Sequence, residues 1–264
     1  MDILHAIAER TKIRIDERKK NMPLDRIMDN LNTPIAAPSA RDFHFEKVLR
    51  ASGDIAFICE VKKASPSLGI FAESFEYMDI AAEYENAGAA AISVLTEPYY
   101  FHGCDRYLND ISKKVSLPLL RKDFVVDEYM IYEAKLLGAG AVLLICAILD
   151  QKTLAKYIKT AHGLGMSALV ETHDEEELKM ALDSGARIIG ANNRNLKTFE
   201  IDMGTSLRLR KLTPDDVVFV SESGIHTAND VQLLRQNGVD AILVGEALMR
   251  ATDKKAALEV LRRT

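Results

Sequence analysis

Three cysteines in 264 residues, Cys59, Cys104 and Cys146, are odd in number and far apart. That excludes a disulfide framework, and the two in strongly apolar surroundings read as buried free thiols. The six histidines show no ligand spacing of the H-E-x-x-H kind, so no metal site is expected. No stretch approaches the roughly 18–20 consecutive apolar residues that a membrane span needs. The start, MDILHAIAERTKIRIDERKK, alternates charged and apolar positions and lacks a signal-peptide core. A net charge of −5 gives no general pull toward nucleic acid or an anionic membrane, although local basic clusters can still bind a small anion. Low-complexity sequence is missing as well. These absences leave a folded cytoplasmic protein, 48% hydrophobic and 28% charged, long enough to bury a large core.

What is present is a rhythm. NAGAAAISVL (86–95), LGAGAVLLIC (137–146), LGMSALVET (164–172), SGARIIGAN (184–192) and NGVDAILVG (237–245) share one design: a helix end, a glycine, a few small or polar residues, then a short apolar strand. Glycine suits the left-handed position just past a helix. The unbroken apolar runs fit parallel strands buried on both faces. AFICEV (56–61), LPLLRKDF (117–124) and VVFVSES (217–223) bring the strands to eight. Amphipathic segments lie between them, several opened by Asp or Thr as helix caps. Eight near-uniform β–loop–α units, with no G-x-G-x-x-G after the first strand, favour a closed (β/α)₈ TIM barrel over a doubly wound open sheet. One domain is expected: residues 1–45 as an N-terminal helical extension and 46–264 as the barrel. The extension carries an amphipathic helix, then a loop with Pro34 and Pro38. It either plugs or covers the barrel or borders the active site, and both readings stand.

In such barrels, chemistry collects at the C-terminal ends of the strands. The first strand ends in Glu60, Lys62 and Lys63, then Ser65; the third in Arg121, Lys122 and Asp123; the fifth in Glu171. The sixth supplies Asn192, Asn193 and Arg194, and the seventh Glu222 and Ser223. Buried charges are costly unless paired or used, so Glu60, Lys62, Lys122, Glu171 and Glu222 converging on one rim point to proton transfer. A lysine with a lowered pKa as general acid, opposite a glutamate base, is the expectation; a network that only braces the mouth is the alternative. SESGI (221–225) and LVGEALM (243–249) each break a late strand with glycine, Gly224 and Gly245, just before a helix. With Ser65 and Ser223 they suit a phosphate group.

These stretches also resemble the indole-3-glycerol-phosphate synthase family over essentially the whole chain. E-V-K-K-A-S-P-S (60–67) is similar to that family's E-x-K-x-x-S-P-S motif, including Ser67, and L-R-K-D-F (120–124), A-L-V-E-T-H (168–173), I-G-A-N-N-R-N-L (189–196), S-E-S-G-I and L-V-G-E-A-L-M follow in order. The resemblance implies a cofactor-free, metal-free decarboxylating ring closure of a phosphorylated small molecule. It makes Lys122 the general acid and Glu171 the general base, and puts Lys62 at the substrate carboxylate. Glu60 and Glu222 would hold the lysines, Asn192 and Arg194 would orient the substrate, and Ser65, Gly224, Gly245 and the backbone of Glu246 would meet the phosphate. Phe124 and Leu196 would flank the aromatic ring, unless they merely pack the barrel. Three positions depart from the family's pattern: Ala64 for a basic residue, Asn195 for Asp and Glu246 for Ser. A monomer or weak homodimer is expected. The competing readings are a related phosphosugar barrel such as phosphoribosylanthranilate isomerase, which would use a cysteine at the end of the first strand, and a non-catalytic phosphate-ligand-binding barrel.

Overall fold

The computed structural model describes residues 3–31, 42–51, 53–66, 69–71, 74–195 and 198–263. Pro34, Pro38, Ser67 and Leu196 lie outside the described residues. Eight parallel strands close into a barrel: β1 (Ala56–Val61), β2 (Ala91–Leu95), β3 (Leu119–Lys122), β4 (Ala141–Ile145), β5 (Ser167–Thr172), β6 (Ile188–Asn192), β7 (Val218–Glu222) and β8 (Ala241–Val244). Each pairs with its neighbour in sequence, and β8 pairs with β1, for instance Ile58 with Leu243. The open-sheet alternative is thereby excluded. In the first loop a two-residue antiparallel pair, Ala64–Ser65 with Gly69–Ile70, folds over the mouth.

The glycine design works as its chemistry requires. Gly88, Gly138, Gly165, Gly185 and Gly238, one in each of the five repeated units, have φ between 70° and 92°, where a Cβ would be strained. The helices start on the expected caps: Asp150 accepts from Thr153 N, Asp174 from Glu177 N, and Thr227 and Asp230 form a reciprocal capping box.

Although the strand sequences do not alternate in polarity, their side chains alternate in direction. Ile58, Ala91, Leu120, Leu143, Leu169, Ile188, Val220 and Leu243 fill the barrel interior. Phe57, Cys59, Ile92, Val142, Val170, Ile189, Phe219 and Ile242 pack outward against the helices. Both faces are thus dry, which is why the strands read as continuous apolar runs.

The N-terminal extension does both things that its sequence left open. Helix α1 (Ile3–Asn21) lies at the C-terminal mouth of the barrel, where Leu4 lines the cavity at the strand ends and Arg14 pairs with Asp123 just past β3. Helix α2 (Leu24–Leu31) packs on the outer helix Tyr129–Leu136. Helix α3 (His44–Ala51), which starts where the extension ends, closes the opposite end: Phe45 and Leu49 join the interior core, and Glu46 N donates to Ser167 Oγ at the start of β5 (3.3 Å). Among the described residues no helix is long and apolar enough to cross a membrane.

Candidate active site

Strand geometry alone decides which strand-end residues face inward. Two residues beyond Ile58, Leu120, Leu169, Ile188's neighbour Gly190, and Val220 stand Glu60, Lys122, Glu171, Asn192 and Glu222, so an interior apolar layer passes directly into a charged one. Leu95 and Ile145 complete this top layer from β2 and β4, keeping one side of it apolar. Register brings the polar members side by side: Asn192 is paired with Glu222 across β6 and β7, and Glu171 with Gly190 across β5 and β6. Gly190 leaves room there for Glu222, whose Oε1 a Cβ would displace.

One cavity at the mouth is lined by twelve of the residues singled out from the sequence: Glu60, Lys62, Ser65, Lys122, Glu171, Asn192, Arg194, Glu222, Ser223, Gly224, Gly245 and Glu246. Phe71, Phe101 and Phe124 add an aromatic wall, and Leu4 of α1 adds the edge. Lys122 Nζ stands 3.5 Å from Glu171 Oε2 and 3.4 Å from Glu222 Oε2. Lys62 Nζ is 2.5 Å from Glu60 Oε1. Asn192 Nδ2 donates to Glu171 Oε1 (3.2 Å), while Asn192 Oδ1 accepts from Ser223 Oγ (2.9 Å) and Arg194 N (3.0 Å).

The electrostatics correct one expectation. Lys122 is not a lysine of lowered pKa. Burial pulls it down, but Glu222, Glu171 and Glu60 outweigh that and raise it above the ordinary ammonium range. The lowering mechanism needs a neighbouring cation or unrelieved burial; here three carboxylates surround the amine. The two carboxylates nearest Lys122 part ways. Burial works against ionised Glu171, but Lys122, His173 and Asn192 hold it down at about 2. Burial, then the charges of Glu171 and Glu60, push Glu222 up to about 7 against the pull of Lys122. Glu222 Oε1 is also buried with no hydrogen-bond partner among the described residues. Two glutamates with separated proton affinities beside one lysine can hold, give and accept protons at neutral pH.

A second part of the cavity suits an anion. Ser65 Oγ is buried with no hydrogen-bond partner among the described residues, and Ser65 lines this part. Across from it, Ser223 and Gly224 turn with φ of 68° and 80°, and a Cβ on Gly224 would strike Ile201 Cγ2. A Cβ on Gly245 would strike Glu60 Oε1. The side chain of Glu246 is drawn to Arg250 (3.2 Å) and Arg194 (3.9 Å), away from a role as an anion ligand. Asn195 Oδ1 accepts from Thr198 N in its own loop (3.2 Å).

Three rim candidates do other work. The guanidinium of Arg121, fully buried, faces the helices, bonded to Asp105 (2.8 Å), Glu133 (2.7 Å) and Met130 O (3.0 Å). Asp123 is held by Arg14 (2.9 Å) and Thr96 Oγ1 (2.7 Å), tying α1 to the barrel. Asn193 bonds Ser206 and Ser221 behind the strands. Adjacent strand residues point to opposite faces, so Arg121 is turned away by the same rule that turns Lys122 in. Cys59 faces the helix layer, where burial pushes its thiol up to about 12, and it does not line the cavity. Cys146 is also buried, while Cys104 is exposed.

Sequence reasoning passed over His173, Phe71 and Phe101. His173 touches Glu171 from behind, and its spacing of four from Glu177 at a helix start was the available signal. Phe101 is positioned through Glu97, whose buried carboxylate accepts from the backbone N–H groups of Tyr99, Tyr100 and Phe101 (2.7–3.0 Å).

Against known proteins, the sequence model of the indole-3-glycerol phosphate synthase family matches residues 4–261. The chain is 55% identical over 260 residues to the indole-3-glycerol phosphate synthase of Ruminiclostridium cellulolyticum, covering 98% of each. It is 49% identical to that of Endomicrobium trichonymphae, covering 98% of this chain and 99% of the relative. Among solved structures, 3-hexulose-6-phosphate synthase from Salmonella typhimurium superposes with a TM-score of 0.66 at 14% identity, over 78% of this chain and 96% of that one, a likeness of fold.

Proposed function

The chain belongs to the indole-3-glycerol phosphate synthase family, and on that premise we propose how its rim residues divide the work. The reaction closes 1-(2-carboxyphenylamino)-1-deoxyribulose 5-phosphate into indole-3-glycerol phosphate, with loss of carbon dioxide and water, for tryptophan biosynthesis. The ring carbon that bears the carboxylate attacks the ketone. Lys122 gives a proton to the ketone oxygen as it becomes a hydroxyl, and departing carbon dioxide leaves its electron pair to restore the aromatic ring. The amine lone pair then expels the hydroxyl, which leaves as water with a second proton that Glu222 supplies through Lys122, and a proton leaves the adjoining methylene to complete the indole. Glu171 accepts that proton.

The observation that carries this reading is the placement of Lys122 Nζ between Glu171 and Glu222 at 3.5 and 3.4 Å. Once Lys122 has given its proton away, the stronger of the two cations that suppress Glu171 basicity is gone. The acid step thereby prepares the base for the next one. Glu222, pushed up to about 7, is the neighbour suited to return a proton to Lys122. Lys62, held by Glu60, meets the substrate carboxylate; Asn192 and Arg194 orient the chain of hydroxyls. Phe101 and Phe124, with ring centroids 6.1 Å apart, flank the aromatic ring. Ser65, Ser223, Gly224, Gly245 and the Glu246 backbone take the phosphate. The enzyme works in the cytoplasm as a monomer or weak homodimer within the same proposal.

The isomerase alternative needs a thiol in the cavity, and the outward direction of Cys59 speaks against it. A barrel that only binds phosphate needs no lysine set between two glutamates. The test is direct: the purified protein, given the carboxyphenylamino-deoxyribulose phosphate, should generate the fluorescence of an indole product. Folded protein that yields none refutes the assignment.

A further inference from the structure

We propose that His173 is a positioning residue for ring closure: clamped by Glu177, it holds a positive charge behind Glu171 and keeps that carboxylate ionised and aimed at the cavity. The inference rests on the reading of Glu171 as the base and goes beyond it.

His173 directly follows β5, two residues after Glu171. Its Nδ1 lies 2.9 Å from Glu177 Oε2, and its backbone N–H donates to the same oxygen at 2.8 Å. Glu177 is itself fixed in the first turn of the helix Glu175–Asp183, where its backbone N–H donates to Asp174 Oδ1 (2.9 Å). The ring is therefore held by a two-point clamp. Facing an acceptor, Nδ1 carries a hydrogen.

The other nitrogen then decides the charge. His173 Nε2 is buried 3.4 Å from Glu171 Oε1 and makes no hydrogen bond among the described residues. In a neutral ring with Nδ1 protonated, Nε2 would present a lone pair to the lone pairs of a carboxylate. A second proton turns that repulsion into attraction. The surrounding charges agree. Burial opposes the imidazolium, but Glu171 and Glu177 raise it to about 10. Asp174, His5, Arg194 and Arg208 line the adjoining polar cleft together with His173. On the far side of Glu171 stand Lys122 and Glu222.

The consequence for Glu171 is a division between its two oxygens. Oε1 is occupied from behind by His173 and by Asn192 Nδ2 at 3.2 Å. Oε2 is left toward Lys122 and the substrate. When Lys122 gives up its proton, the imidazolium is the cation that remains, so Glu171 stays ionised until it takes the substrate proton.

The experiment compares kcat and KM against pH for wild type, His173→Gln, Glu177→Gln and His173→Lys, and follows the His173 imidazole of the wild type by NMR titration. For His173→Gln the acid limb of kcat should move up by about one pH unit, a roughly tenfold loss of rate along that limb. KM should change by less than about twofold, and Glu177→Gln should shift the limb in the same direction by a smaller amount. His173→Lys should move the limb back toward wild type. Should His173→Gln fail to fold, Glu177→Gln carries the same test. Limbs that coincide with wild type in an active enzyme overturn the inference alone. No indole product from wild type overturns the function, and the NMR titration then decides this point separately: an imidazole that titrates at or below its ordinary value refutes it.

Discussion

Replacing Arg14 by Met removes the clasp between α1 and the catalytic mouth. Arg14 Nη2 donates to both oxygens of Asp123, at 2.9 and 3.0 Å, and the two side chains are 6% and 0% exposed. Breaking a buried ion pair from one side typically costs about 3–5 kcal/mol. Two features reduce the figure here. Asp123 keeps Thr96 Oγ1, the Phe124 N–H and, 3.6 Å away, Arg121. Arg14 Nε and Nη1 are buried without partners among the described residues, so their loss relieves a desolvation cost. A destabilisation of about 2–3 kcal/mol follows, equivalent to a fall in Tm of roughly 5–10 °C for a chain of this size. Thermal unfolding followed by circular dichroism measures it. Burial raises the Asp123 pKa, but Arg14, Arg121 and Thr96 overcome that and lower it. A depressed carboxylate contributes stability above its unfolded value, and the contribution disappears as pH falls through the folded value. The gap between wild type and Arg14→Met should therefore hold constant above about pH 5 and narrow below about pH 4. A Tm within about 2 °C of wild type at neutral pH, or a gap unchanged at acid pH, refutes the reasoning.

Two further substitutions separate the parts of the cavity. Gly224→Ala forces a side chain onto a residue with φ of 80° and against Ile201; steady-state kinetics should show KM raised about tenfold, with kcat less affected, as the anion loop is displaced. Cys59→Ala, in the outward layer, should leave turnover within about twofold of wild type and cost about 1 kcal/mol in a denaturant titration. A collapse of turnover there would mean that the thiol reaches the substrate.

Much of this molecule is legible in its sequence because barrel units announce themselves locally. A glycine past each helix and an apolar strand after it are short-range signals, and they placed all eight strands to within a few residues. The strand-end positions of Lys122, Glu171 and Glu222 were equally visible, since period-two alternation carries the interior layer onto them. What stayed hidden depends on distance across the barrel. The raised pKa of Lys122 arises from Glu222, Glu171 and Glu60, which lie on three other strands. The proton affinities of Glu171 and Glu222 differ through His173 and Asn192 on one side and an unpartnered oxygen on the other. The placement of α1 is set by one long-range pair, Arg14 with Asp123, and that of α3 by Phe45 and Leu49 entering the barrel floor. None of these follows from local propensity.

Lys122→Met puts the acid role to the most direct trial, with turnover and substrate affinity measured on the same preparation. Indole fluorescence gives kcat, and titration of the carboxyphenylamino-deoxyribulose phosphate gives Kd and shows that the variant is folded. If Lys122 delivers the proton to the ketone, kcat should fall by roughly 10²–10⁴-fold while Kd changes by less than about threefold. A variant that binds the substrate and turns it over at the wild-type rate would contradict the acid role of Lys122, and with it the proton circuit drawn through Glu171 and Glu222.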